Sequence, residues 1–414
     1  MERYVSLNGQ SNPDSEALCP HFGVCGGCQT QKMPYAEQLH EKEAMLWKLL
    51  GAVWTEAIPV MASPVQWHYR NKVDPSFAPM QYPEPPPKGF ERETVLGFKR
   101  KGRWFFPIEI THCLIGPEGL EELLRAVRAW YRAEGLRAYD SRTHQGFLQC
   151  LLVRDAKRTG ERMVALITRP GAFDAAGFVK VVREAFNPIS IYRGIATGTS
   201  DAAFAEELEL LYGAPDITEE LHIPSEEGER RFQFRISPFS FFQTNPLATE
   251  RLYGIAREWV QRTGAEHLYD LYGGMGSIAF SCADWVEHVW SVESVASATE
   301  DGRRNAVGNC IGNVTFITAP VEVYLRERAA HHPLAPGAAV ILDPPRAGLH
   351  PKALKYLLEL HPRHLLYISC NPNMLAREME ALRSVYRLKQ LKAVDLFPHT
   401  RHVEVVAEFE ARQV

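Results

Sequence analysis

The feature that most constrains this chain is a glycine-bearing turn between an apolar strand and a helix, Leu268-Tyr-Asp-Leu-Tyr-Gly-Gly-Met-Gly276. Glycine at such a turn lets backbone approach a ligand that side chains would hold off. A helical pattern over Pro246–Arg262 precedes it. Apolar runs follow at Val289–Val292, Ala338–Leu342 and His364–Ser369, with helical segments between them. The closing stretch Val403-Glu-Val-Val-Ala-Glu-Phe-Glu410 alternates like a strand. Strands alternating with helices predict a parallel, doubly wound α/β sheet, and such sheets bind ligands at the carboxyl ends of their strands.

Three groups fall on that edge. The second strand ends at Glu293, where a carboxylate can accept both hydroxyls of a ribose. Gly-Gly-x-Gly departs from the dinucleotide pattern Gly-x-Gly-x-x-Gly and fits an S-adenosylmethionine site better; the bland alternative is a simple turn. Asp343-Pro-Pro-Arg346 follows the strand Val340-Ile-Leu. Prolines stiffen the chain there, and a buried Asp is costly unless paired, which favours ligand binding over a plain strand stop. Cys370 ends the strand His364-Leu-Leu-Tyr-Ile-Ser and precedes Asn371-Pro372. A lone buried cysteine is usually inert, but this position suits a nucleophile. Glu404, in Phe397-Pro-His-Thr-Arg-His-Val-Glu404, enters the last strand. A thiol and a carboxylate beside a methyl-donor site suggest covalent methylation of a pyrimidine ring.

The remainder divides into residues 1–54, a cysteine cluster with a helix over Tyr35–Leu50, and residues 55–230, a β-rich region. Strand-like runs lie at Thr94–Phe98, Trp104–Ile108, Phe147–Arg154 and Arg162–Thr168. Helical spacing appears at Pro117–Tyr131 and Gly177–Phe186, with Pro117 suited to a first turn. The stretch Tyr82-Pro-Glu-Pro-Pro-Pro-Lys88 reads as a loop. Cys19, Cys25 and Cys28 crowd into ten positions, which in a reducing compartment suggests metal rather than disulfide. Three thiols are one short of a closed site; Cys113 can supply the fourth, with Cys150 next.

Hydrophobic residues at 45% and charged residues at 23% exclude a disordered chain. No apolar run reaches the ~18 residues a membrane span needs. Met1–Ser15 lacks a signal-peptide pattern, so a cytoplasmic protein is expected. The net charge of −4, from 46 basic and 50 acidic residues, does not advertise nucleic-acid binding. A local basic face such as Lys99-Arg-Lys-Gly-Arg103 would still suffice.

Four blocks together resemble the RNA (uracil-5-)-methyltransferase family: Phe239-Ser-Phe-Phe-Gln-Thr-Asn245, Asp270–Gly276, Asp343–Gly348 with Ser369-Cys-Asn-Pro372, and Phe397–Glu404. The resemblance implies a Rossmann-like S-adenosylmethionine-dependent domain over residues 231–414. It implies donor contacts from Gln243, Tyr272, Ser277, Glu293 and Asp343, Cys370 as nucleophile and Glu404 as base. It also implies a 4Fe–4S cluster on Cys19, Cys25, Cys28 and Cys113, ranked ahead of zinc on the same thiolates. Two departures at the glycine turn are mild: Gly273 replaces the usual cysteine, and Ser277 an asparagine or threonine. Pro320 is sharper, since the family usually places an aspartate there to accept from the adenine amino group.

The target base must leave the RNA stack, and Phe241 or Phe242 could fill the gap or belong to the core. Trp67-His-Tyr-Arg-Asn-Lys-Val73 also resembles the family, making Arg70 and Lys72 candidate RNA contacts. The cluster points to 23S ribosomal RNA, in particular to the iron–sulfur bacterial members without a TRAM domain, since 18 residues before Cys19 are too few for one. Transfer RNA is the second substrate. A non-catalytic RNA-binding protein is the reading from another class, supported only by Pro320. A monomer is expected.

Overall fold

The computed structural model describes residues 18–82, 84, 86–87, 89–198, 204–226 and 228–412, apart from the side chains of Trp104 and Phe105. Met1–Ser15 and, in the proline-rich loop, Pro83, Pro85 and Lys88 lie outside the described residues.

The C-terminal sheet has the order Val60–Met61, Tyr386–Val394, Glu404–Ala411, His364–Ser369, Ala339–Leu342, His267–Leu271, His288–Glu293, Val314–Thr318. The last five strands run parallel, and Glu404–Ala411 is antiparallel to both of its neighbours. This is the doubly wound α/β sheet expected. Alternate residues feed opposite faces, as strand geometry requires. Leu268, Val289, Ile341 and Leu366 pack on one side, while Tyr269, Val292, Val340 and Leu365 pack on the other.

The second sheet has the order Arg103–Glu109, Thr94–Arg100, Ser76–Pro79, Leu148–Asp155, Arg162–Thr168, Ser190–Ile195, Glu207–Gly213, with Lys72–Val73 also pairing onto Leu148–Asp155. Helices Leu120–Ala133 and Ala175–Phe186 cover one face through Leu123, Val127, Phe178 and Val182. The opposite face, with Leu152, Ala165 and Ile167, joins the core of the C-terminal sheet. Leu148–Asp155 is therefore buried along its whole length. The first of these helices starts later than expected. Gly119, at φ +77°, interrupts the helical path, and Pro117 sits before it in a turn whose carbonyl accepts from Leu120 N–H.

The cores group the chain differently from the linear division. Helix Tyr35–Leu50 buries Leu46 and Leu50 against the C-terminal sheet, and Val60–Met61 adds an edge strand to it. The expected boundary at 230 falls inside strand Gly228–Ile236, which pairs with Ile217–Ser225. That hairpin turns Leu221, Ile223, Phe232 and Phe234 into the core beneath helix Pro246–Thr263. Strand pairing and a shared apolar face hold these segments to the C-terminal sheet, where linear spacing placed them elsewhere.

Candidate active site and cysteine cavity

Register brings the distant motifs to one edge. Leu271 lies beside both Val292 and Leu342 across parallel pairings. The next residues in each strand direction are Tyr272, Glu293 and Asp343, and Asp343 N–H donates to Leu271 O at 3.3 Å. Ser369 pairs with Val405 across the antiparallel join. One step outward, this sets Cys370 beside Glu404, although 34 positions separate them in the chain.

The glycine turn is bent tightly. Tyr272 has φ +66°, a left-handed conformation rare outside glycine, and Gly274 and Gly276 also have positive φ. A Cβ at Gly276 would lie 2.7 Å from the Phe316 ring. At Gly273 a Cβ would collide with Ser291 Oγ and stand 2.7 Å from Asp270 Oδ2. The Asp270–Ser291 hydrogen bond thus takes the space that a side chain at Gly273 would need. Glu293 accepts from Gly274 N–H at 3.2 Å and from Val295 N–H at 2.8 Å, which aims its carboxylate at the turn. Ser277 Oγ meets Tyr253 OH at 3.0 Å. Pro320 precedes helix Val321–His331 on an exposed corner, with no side-chain acceptor.

Gln243 leads into helix Pro246–Thr263, which Asn245 caps by accepting from Ala248 N–H at 3.2 Å. Its amide reaches Asp343 at 3.5 Å, and its carbonyl accepts from Asn71 Nδ2 at 3.0 Å. Buried Arg154 holds the preceding turn through the carbonyls of Pro238 and Ser240. Asn71 and Arg154 were not singled out in the sequence, because each acts through backbone carbonyls brought near only by folding.

The crevice is rich in acid. Burial pushes Asp270 up to about 7, with the Ser291 hydroxyl opposing. Burial, then Asp270, pushes Asp343 up to about 7. Burial, then Asp343, pushes Glu404 up to about 8, with Arg346 opposing. The Cys370 thiol is pushed to about 11 by burial, Glu404 and Asp343, again against Arg346. Arg346 sits on the exposed rim, where it meets His402 Nδ1 at 3.1 Å. Clustered buried acids whose negative charge is under-compensated favour a cationic ligand. Cys370 also lies just before helix Pro372–Leu382, whose N-terminal N–H groups favour a thiolate.

The aromatic pair separates cleanly. Phe242 is core, 5.4 Å from Phe234, whereas Phe241 is 64% exposed. Arg70 and Lys72 do not stand on an open face as RNA contacts should. Arg70 lines the cysteine cavity. Lys72 is held in a strand pairing, and burial and Arg154 lower its pKa.

Cys19, Cys25, Cys28 and Cys113 line one cavity of about 820 Å³, with His21, Arg70 and Cys150. Burial, then Cys113, Cys25 and Cys19, pushes Cys28 up to about 12, opposed by Arg70. Burial also lifts Cys113 to about 11, opposed by the N–H groups of Gly116 and Ile115. Burial, then Asp74, raises the Cys150 thiol, with Lys72 and Lys99 opposing. Among the described residues, no three of these thiols lie within 4.8 Å of one another.

A parallel sheet with a glycine turn, an acidic second strand end and a cation-seeking crevice defines a protein of the S-adenosylmethionine-dependent methyltransferase class. Residues 205–411 match tRNA (Uracil-5-)-methyltransferase, and the chain belongs to that family. It is 34% identical to an uncharacterized RNA methyltransferase of Caldanaerobacter subterraneus, over 98% of this chain and 87% of the relative. A Clostridium tetani protein of the same description is 33% identical, over 94% and 83%. The fold is similar to the crystal structure of Pyrococcus abyssi tRNA (uracil-54, C5)-methyltransferase in complex with S-adenosyl-L-homocysteine. The TM-score is 0.74 at 28% identity, covering 93% of this chain and 84% of that one. The protein is thus an S-adenosylmethionine-dependent RNA methyltransferase. Among the described residues no helix is long and apolar enough to cross a membrane.

Proposed function

We propose that this enzyme methylates carbon 5 of a uridine in 23S ribosomal RNA through a covalent adduct on Cys370. The observation that carries the reading is the register that sets the Cys370 thiol beside the Glu404 carboxyl on the acidic strand edge. Carbon 5 of uracil is a weak nucleophile. Addition of the Cys370 thiolate to carbon 6 forms a C–S bond and an enolate, which makes carbon 5 nucleophilic. Carbon 5 takes the methyl group, and the donor sulfonium leaves as a neutral thioether. Glu404 removes the carbon 5 proton, the electrons return to the ring, and the C–S bond breaks.

Each assigned residue has a physical role. Glu293 accepts from the donor ribose, Gln243 and Asp343 face its cationic end, and Tyr272 and Ser277 shape the turn beneath it. The sulfonium favours ionisation of both Asp343 and Cys370 by opposite charge. Phe241 is the exposed aromatic available to stack where the uridine leaves the RNA. Cys19, Cys25, Cys28 and Cys113 would hold a 4Fe–4S cluster, a centre that when bound ties together the segments ligating it. The methyl transfer requires no electrons from it. The convergence of these four thiols on one cavity supports that assignment.

Transfer RNA is the second substrate reading, favoured by the likeness to the Pyrococcus abyssi enzyme. Mass mapping of RNA from a gene-deletion strain tests both. Loss of one 5-methyluridine from 23S ribosomal RNA is expected. Loss confined to transfer RNA would overturn the ribosomal assignment, and an unchanged 5-methyluridine pattern in both RNAs would overturn the activity.

A further inference from the structure

The loop that delivers Glu404 is fastened from three directions, two of them on the N-terminal segment. His399, at φ +64° and 3% exposed, lies at its apex. Its carbonyl accepts from Gln29 N–H at 2.8 Å and from Thr30 N–H at 3.1 Å. Its ring stacks on Trp67 at 3.7 Å. Gln38, 1% exposed, takes the backbone N–H and the ring Nδ1 of His399. Its Oε1 accepts from His399 N–H at 2.8 Å and from the Thr30 hydroxyl at 3.1 Å. Its Nε2 donates to Met33 O at 2.9 Å and faces His399 Nδ1 at 3.2 Å. The backbone partners fix which end of the amide is nitrogen, so Nδ1 must accept, and the imidazole is held neutral as the Nε2–H tautomer. Burial, with Lys42 adding to it, lowers the His399 pKa to about 4, which agrees with a neutral ring.

The left-handed His399 costs energy unless its surroundings over-determine it, and these contacts do so. Behind it, the buried pair Lys42–Asp395 at 2.7 Å anchors the start of the loop. Lys42 also donates to Phe397 O at 3.2 Å. Gln29 follows Cys28 directly in the chain. The segment lining the cysteine cavity is thus bonded to the loop that ends at Glu404.

We propose that Gln38 is a positioning residue for Glu404, acting through His399 to hold residues 395–403 in the conformation that presents the carboxylate to carbon 5. It touches neither donor nor base. The inference rests on the reading of Cys370 as nucleophile and Glu404 as base. Its loss therefore slows proton removal and leaves thiolate addition and methyl transfer intact. Misplacement of a catalytic group by about an ångström can cost on the order of 10²-fold.

The test is Gln38→Ala in the full-length protein, measured beside Glu404→Gln. Turnover on natural RNA should fall on the order of 10²-fold, with S-adenosylmethionine affinity unchanged within about twofold, and methylated covalent adduct should accumulate. RNA with 5-fluorouridine at the target should be trapped at the native rate, since trapping precedes proton removal. Backbone amides of 396–402 should exchange with deuterium about tenfold faster or more, while the central sheet does not change. Native turnover, or equal loss of trapping and turnover, would overturn the proposal. So would unchanged exchange in 396–402, and this arm decides even if wild-type protein traps no RNA, a result that defeats the nucleophile assignment instead. If Glu404→Gln accumulates no adduct, the base assignment has failed, and the exchange arm again decides whether Gln38 holds the loop.

Discussion

Two regions of this molecule bury thiols, and they do so in different company. In the crevice, Cys370 sits among Glu404 and Asp343 beneath an exposed arginine, at the start of a helix. In the N-terminal cavity, Cys28 and Cys113 sit among other thiols beside Arg70. Burial raises all three. Burial therefore does not separate the proposed nucleophile from the proposed metal ligands; their neighbours do. On the proposed reading, a thiol ringed by carboxyls, on an edge open to a cationic donor, gains its charge when that donor arrives. Thiols ringed by thiols repel one another as anions until a metal centre neutralises them.

The largest expected effect breaks the comparison on the crevice side. Cys370→Ala should lower methylation on the order of 10⁴-fold or more, with S-adenosylmethionine still bound in a calorimetric titration. Glu404→Gln should instead stall after methyl transfer, and denaturing gels should show RNA covalently attached to protein. A variant with neither adduct nor product would give Glu404 an earlier role.

On the cavity side, anaerobically purified protein should be brown and hold about four irons per chain, as four-cysteine ligation of a cubane cluster requires. Cys113→Ser should bleach it and lower Tm on the order of 2 °C, as expected for roughly 2 kcal/mol in a chain of this length. Donor binding should persist, since no assigned donor contact precedes Gln243. One zinc and no iron per chain would refute the cluster, and unchanged metal in this variant would pass the fourth position to Cys150.

The smallest effect is in pH. Glu404, raised to about 8, must lose its proton to act, so the rate of adduct release should climb as pH rises toward 8 and level off above. Stability runs the other way. The folded chain keeps a proton that the unfolded chain releases near ~4.3, so this contribution is complete below that pH and lost as pH rises through about 8. Denaturation across this window should show a shallower decline in Glu404→Gln than in wild type. Equal slopes would mean that Glu404 is not held protonated by burial.

Much of the C-terminal sheet was legible because its strands are short apolar runs punctuated by glycine and proline. Ala339–Leu342 is wholly apolar, and His364–Ser369 holds its polar residues at its ends around the buried run Leu365–Ile368. Other strands were hidden by charge. Ser190–Ile195 contains Arg193, which is buried but satisfied by Thr168 and Gly171. Ile217–Ser225 alternates buried and half-buried positions, but two glutamates and a histidine mask the pattern. At the site, strand-end residues could be read from their motifs. Asn71, Arg154 and Gln38 could not, because their partners are backbone groups 84 to 361 positions away. Gly273 showed as a departure in the sequence, and only the fold shows the Asp270–Ser291 contact that takes the space beside it.

The measurement closest to the central claim is the intact mass of the protein after reaction with S-adenosylmethionine and target RNA carrying 5-fluorouridine. Fluorine cannot leave carbon 5 as a proton does, so the adduct should persist. The account predicts a mass equal to protein, RNA and one methyl group, with peptide mapping placing the bond on Cys370 and no such species in Cys370→Ala. A methylated RNA product released without any adduct, or an adduct mapped to another cysteine, would contradict it.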